Sequence, residues 1–163
     1  MLVFGYGNIS RGDDALGPML LHLLETQRFE STTVEYLEDF QLQVEHALDL
    51  ANRDLVLFID ASVACEAPFS FTRLHPQRDV TYTTHALHPA DILYTYQQVT
   101  GQSPPPAFLL TVRGESFELG EPLSTAAKTH LQASVAFLQQ LSHTVTVAAW
   151  HAFLDSPKST NDS

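Results

Sequence analysis

Five consecutive apolar residues, Leu55-Val56-Leu57-Phe58-Ile59, end directly at Asp60. A run of this length is strand-sized, and with no polar residue alternating through it neither face can meet water. Such a strand belongs inside a largely parallel sheet that carries helices on both sides. The rest of the chain supplies them. Leu2-Val3-Phe4 reads as a first strand, and Leu16, Met19, Leu20, Leu23 and Leu24 then recur at helical spacing. Pro18 lacks an N–H and clashes with the carbonyl four residues back, which is harmless only in a first turn. The spacing therefore predicts a helix starting near Asp14.

Thr33 to Leu37 reads as a second strand, and Val44, Ala47, Leu48 and Ala51 as one face of a second helix. Phe69 to Leu74 alternates, as an edge strand does. Pro89 suits a first helical position and Gly101 the residue after a last turn, which predicts a helix with Ile92, Tyr96 and Val99 inward. Pro104-Pro105-Pro106 leads into a strand over Phe108 to Val112. Ser124 caps a longer helix that turns Ala127, Leu131, Val135 and Leu138 inward. Thr144 to Leu154 fits either strand or helix. Ser156 to Ser163 is polar, without an apolar anchor, and reads as a flexible tail. The expected architecture is a single α/β domain over residues 1–155: a three-layer sandwich whose twisted, largely parallel sheet of about five strands has helices on both faces.

Eight Lys and Arg against nineteen Asp and Glu give a formal charge of −11. Such a surface repels phosphate backbones and anionic lipid, so neither nucleic acid nor membrane is expected as a partner. The most apolar stretch, Leu55 to Ala64, is broken by Asp60 and too short to span a bilayer. Cys65 is the only cysteine, which excludes an internal disulfide and a thiolate zinc cluster. Strand residues from position 2 leave no room for a signal peptide, so a cytoplasmic setting is expected.

Between the first strand and its helix runs Gly5-Tyr6-Gly7-Asn8-Ile9-Ser10-Arg11-Gly12-Asp13-Asp14-Ala15-Leu16-Gly17. A dinucleotide fingerprint would need glycine where Ser10 stands, so the close helix approach of that motif is expected to be lost. Asp13 and Asp14 at the helix start repel phosphate. In open α/β sheets ligands bind beyond the carboxyl ends of the strands, where strand order reverses. Asp14, after the first strand, and Asp60, immediately after the third, should share that edge. One acid suffices to cap the helix; Asp13 is expected to do so, leaving Asp14 to point into the crevice. Asp60 must reach water, a donor or a cation, or else cap the turn near Ser62.

Of eight histidines, His22, His46, His130, His143 and His151 read as surface residues, and His75 as part of a loop. His88, before Pro89, suits a cap. His85 has no structural task and is the candidate third ligand. Two carboxylates and an imidazole suit nickel, zinc, iron or manganese with positions left open, and a divalent cation would offset a site charge of about −2. Cys65 has no partnered base and reads as a packing residue. No Gly-x-Ser-x-Gly elbow is present. Arg11 and Arg113 either pair with carboxylates or lie on the surface.

These residues resemble the hydrogenase maturation endopeptidases. The marks are Gly5-x-Gly7-Asn8 through Asp13-Asp14-x-x-Gly17, Ala51-Asn52-Arg53-Asp54 followed by Ile59-Asp60-Ala61, and Thr84-His85 running into Ala90-Asp91-Ile92-Leu93. The resemblance extends from Leu2 to about Leu141 and implies an α/β peptidase that removes the C-terminal extension of a nickel–iron hydrogenase large-subunit precursor once nickel is loaded. It implies Asp14, Asp60 and His85 as catalytic and metal-binding residues, the nickel being supplied by the client rather than held as a resident cofactor. Family members often carry Glu at the first position, so Asp14 shortens that arm by one methylene. Many also have Asp-Gly-Gly-Thr after the second strand, where this chain has Glu38-Asp39-Phe40-Gln41; that loop is expected to select the client. Two rival readings are a metal-dependent hydrolase of a small molecule and a nickel-sensing or chaperone-like module that does not cut.

Overall fold

The computed structural model describes residues 1–27, 33–78 and 87–155. Its five strands are β1 (Leu2–Tyr6), β2 (Glu35–Asp39), β3 (Val56–Ser62), β4 (Phe69–Leu74) and β5 (Ala107–Arg113). They lie in the order β2-β1-β3-β5-β4, all parallel except β4, which pairs antiparallel with β5 at the edge. The chain steps one way from β1 to β2 and the other way to β3, so strand order reverses between β1 and β3. The expected sandwich is the one observed. Two apolar clusters fill it, one on each face of the sheet.

Alternation assigns strand residues to those faces. Val3, Leu57, Ile59, Phe108 and Leu110 meet helices α1 (Leu16–Thr26) and α3 (Thr125–His143). Leu2, Phe4, Tyr6, Val56, Phe58 and Leu109 meet α2 (Pro89–Thr100) and a 3-10 turn over Val44–Leu50. The segment left open between strand and helix contains the short helix α4 (Val147–His151). Its Trp150 is fully buried against Phe71 and Phe108 and donates from Nε1 to the Leu141 carbonyl.

Caps form where the residue types predict them. His88 Nδ1 accepts from the Ala90 N–H and Asp91 returns a bond to the His88 N–H. Gly101 closes α2 in the left-handed region at φ +67°. Ser124 accepts from the Ala127 N–H. Strand β4 takes the expected edge.

Several expectations need correction. Helix α1 begins at Leu16, preceded by a 3-10 turn over Gly12–Ala15 that contains both acids. Its inward face is Leu16, Leu20, Leu21 and Leu24, with Met19 and Leu23 partly exposed. The second predicted α-helix is a 3-10 helix. At three residues per turn Ala47 and Leu50 face inward, while Val44, Leu48 and Ala51 do not. In α2 the buried residues are Ile92, Leu93 and Tyr96; Val99 is exposed and borders an apolar groove of about 230 Å³ with Val44 and Leu48. Val135 is only partly buried in α3. Asp60 lies within β3 rather than after it, because pairing with β5 continues as far as Ser62. His85 and the segment Ser156 to Ser163 lie outside the described residues. Among the described residues no helix is long and apolar enough to cross a membrane.

Candidate active site

The loop after β1 is shaped by close backbone approach. A Cβ on Gly17 would sit 2.4 Å from the Tyr6 carbonyl and 3.1 Å from that of Ile59, and one on Gly5 would meet the Gly17 carbonyl at 2.9 Å. Glycine therefore lets the start of α1 settle onto the carboxyl ends of β1 and β3. The close helix approach thought lost at Ser10 is restored by Gly5 and Gly17. Gly7, at φ +151°, passes over the Asp14 carbonyl, which a Cβ would meet at 2.1 Å. This fold-back delivers the Asn8 N–H to Asp14 Oδ2 at 2.7 Å.

Asp60 reaches the same place from β3. Gly5 is in register with Ile59, so one residue further along Tyr6 and Asp60 lie side by side and share a face. Asp14, Asp60 and Tyr6 line a cavity of about 610 Å³ at the reversal of strand order, with Asn8, Arg11, Phe40, Gln41, Leu87 and Phe117 among its other walls. Burial pushes the Asp60 carboxyl up to about 7. The Ala61 N–H on Oδ1 works against that and the charge of Asp14 adds to it. Burial also raises Asp14, against the Asn8 hydrogen bond and the charge of Arg11. Tyr6 is pushed well above its ordinary value by burial and by the Asp60 charge, so it keeps its proton. Two carboxylates short of compensating positive charge hold a proton more tightly than ordinary carboxylates do.

Asp13 faces the opposite way. It is completely buried, and its carboxylate accepts from the Glu115 and Ser116 N–H groups and from both the N–H and the Oγ of Ser124. Burial alone would raise its pKa, yet these bonds together hold it below 3.8. It does not cap α1, whose start has no side-chain cap. Instead it fastens the loop to the segment that leads into α3. Backbone bonds from Asp13 to Ser116, Gly12 to Glu121 and Gly120 to Ser10 continue the seam.

The sequence is 32% identical over 124 residues to the hydrogenase 2 maturation protease of Escherichia coli (strain K12), a match covering 72% of this chain and 75% of that one. The chain belongs to the hydrogenase maturation protease family. It is a peptidase. No family model matches it. Among solved structures, the hydrogenase maturating endopeptidase HybD from E. coli superposes with a TM-score of 0.67 at 27% identity, covering 87% of this chain and 91% of that one. The [NiFe] hydrogenase maturation protease HycI from Thermococcus kodakarensis KOD1 shares the fold, with a TM-score of 0.67, 20% identity and coverage of 88% and 92%.

Within this protease, Asp14 and Asp60 come together as expected, and the third expected ligand, His85, lies outside the described residues. Among the described residues no group of three or more His, Cys, Asp and Glu is placed to hold a metal ion. Asp60 does not cap its turn; Ser62 does, accepting from the Ala64 N–H. The Glu38–Gln41 loop divides. Phe40 and Gln41 line the cavity, while Glu38 pairs with His22 at 2.6 Å and Asp39 with His46 at 3.1 Å.

His46 is not the surface residue it was expected to be. Its Nδ1 accepts from the Gln43 N–H, so Nε2 carries the proton shared with Asp39, and the ring packs edge-on to Phe4. His130 is half-buried and bonded through Nδ1 to the Arg113 carbonyl. Arg113 serves structure, donating to the Cys65 carbonyl at 2.8 Å, whereas Arg11 borders the cavity. Burial raises the Cys65 thiol, which removes it further from nucleophilic use.

Proposed function

We propose that the protein removes the C-terminal extension of a nickel–iron hydrogenase large-subunit precursor after nickel insertion, and that Asp14, Asp60 and His85 recognise nickel carried by the client. The observation that carries this reading is the pairing of Asp14 and Asp60, two proton-hungry carboxylates from separate elements, in one cavity. Their oxygen donors and shortage of positive charge fit a divalent cation, and His85 would add a nitrogen donor. The relatives are named for hydrogenase maturation, which supports a hydrogenase precursor as the substrate.

A seated client cation supplies the positive charge that lets both carboxylates ionise and polarises a neighbouring oxygen. Before that, Asp60 shares its charge with a proton at neutral pH, and Asp14 and Asp60 repel each other. Both precursors meet the same site, but only a loaded one changes the site's charge on entering, which spares the unloaded one. A carboxylate oxygen not engaged by the cation would take a proton from water as the water oxygen attacks the scissile carbonyl. The proton then passes to the leaving amine as the C–N bond breaks. Phe40 and Gln41 line the cavity and would contact a client seated in it. They are the half of the loop that would govern which precursor is accepted.

Nickel-loaded precursor incubated with the protein, followed by mass spectrometry of its C-terminus, tests this directly. Wild-type protein should release one C-terminal peptide and leave unloaded precursor whole. Asp14→Asn and His85→Ala should stay folded and lose cleavage by about 1000-fold or more. Normal cutting by both variants would remove the proposed site. Near-stoichiometric metal in protein purified without client would point instead to a resident ion.

A further inference from the structure

We infer that Tyr6 is a positioning residue for Asp60, its hydroxyl being the donor that fixes the carboxylate when a client occupies the cavity; the inference rests on the proposed maturation reading. Tyr6 is 6% exposed, and its buried hydroxyl interacts with the Asp60 carboxylate but makes no well-formed hydrogen bond among the described residues. Buried polar groups are ordinarily paired, because leaving one unpaired forfeits its bond to water. Packing does not require this hydroxyl. Around the ring lie Phe4 and other apolar members of the β1–α2 cluster, which a phenylalanine would meet equally well.

What the hydroxyl does meet is charge, that of Asp60 first and Asp14 second. Asp60 in turn receives, among the described residues, one well-formed hydrogen bond, from the Ala61 N–H to Oδ1. A hydroxyl and a carboxylate that interact without a well-formed hydrogen bond thus stand side by side on the wall of the cavity where client would enter. Register brings them together: Tyr6 is the last residue of β1, and Asp60 is its neighbour across the parallel pair. Closing that bond would hold Asp60 in one rotamer, the fixed orientation the proposed function needs.

Tyr6→Phe removes one oxygen and keeps the ring, so it separates positioning from packing. With nickel-loaded precursor, the variant should show kcat reduced by about 10- to 100-fold with KM within about threefold of wild type. Its thermal midpoint should be unchanged or higher, since the buried hydroxyl deleted makes no well-formed hydrogen bond. Unchanged kcat would overturn the inference while leaving the maturation reading intact. A loss of kcat accompanied by a lower midpoint would also overturn it, by making the hydroxyl structural. Wild-type protein that leaves loaded precursor uncut would overturn the maturation reading, and this inference with it.

Discussion

At Asp13 four donors converge on one fully buried carboxylate, whereas at the cavity Asp14 and Asp60 each accept a single backbone N–H. Asp13 and Asp14 adjoin in the chain, and burial opposes the charge of both. The number of donors decides the outcome: Asp13 is held below its ordinary value while Asp14 and Asp60 rise above theirs. The first region has satisfied its charge internally and has nothing left to offer a ligand. The second is left short of positive charge, and that shortage is what supports the proposal that it is the site. A carboxylate's surroundings, not its position in a motif, separate the structural acid from the chemical one.

The largest expected effect breaks the satisfied side. Asp13→Ala would leave the Glu115, Ser116 and Ser124 donors without their acceptor and unfasten the loop from the segment before α3. It should destabilise the fold by about 3 kcal/mol or more, measured by denaturant unfolding. A change under about 1 kcal/mol would show that these bonds exchange freely with water and that the contrast between the regions is overstated.

Next comes the opposite sign at Asp60. Its folded value, about 7, lies above its ordinary 3.8. Its contribution to stability is therefore fully present below 3.8 and lost as pH rises through about 7. Asp13, with a lowered folded value, contributes stability above 3.8 that is lost as pH falls through its folded pKa. Asp60→Asn should accordingly stabilise the protein by about 4 kcal/mol at pH 8 and less than half as much at pH 5, while abolishing cleavage. An equal effect at both pH values would mean that the charge of Asp60 is not the destabilising element.

How much of this could be read from the chain follows the same division. Asp14 and Asp60 were legible because strand ends and apolar runs are local signals, and the sheet rule places such ends on one edge. The role of Asp13 was not, since its acceptors' partners lie more than a hundred residues away at Glu115, Ser116 and Ser124. Tyr6 was hidden by register: Leu2 and Phe4 give its face, but nothing local says that Asp60 stands beside it. Val44 and Leu48 misled because their spacing fits an α-helix and the segment is 3-10. At five residues, α4 is too short for periodicity to declare itself. The close approach of α1 was missed because glycine was sought at position 10, whereas Gly17, on the helix itself, supplies it.

The smallest effect sharpens the cavity side. Among the described residues Arg11 is the only Lys or Arg bordering the cavity, and its charge partly offsets the rise at Asp14. It is exposed, and its Nε donates to the Phe117 carbonyl at 3.3 Å. Removing the charge in Arg11→Gln should move Asp14 further up. The acid limb of the pH–rate profile for cutting loaded precursor would then shift to higher pH by a few tenths of a unit, with cleavage at neutral pH reduced about threefold or less. Because solvent screens an exposed guanidinium, about 0.5 M salt should bring wild type and variant closer together. A gap that persists in salt would trace instead to the Phe117 contact, making Arg11 a support for the cavity wall. A gap that closes would mean that the site tolerates one screened cation at its rim and still lacks the charge it requires at its centre.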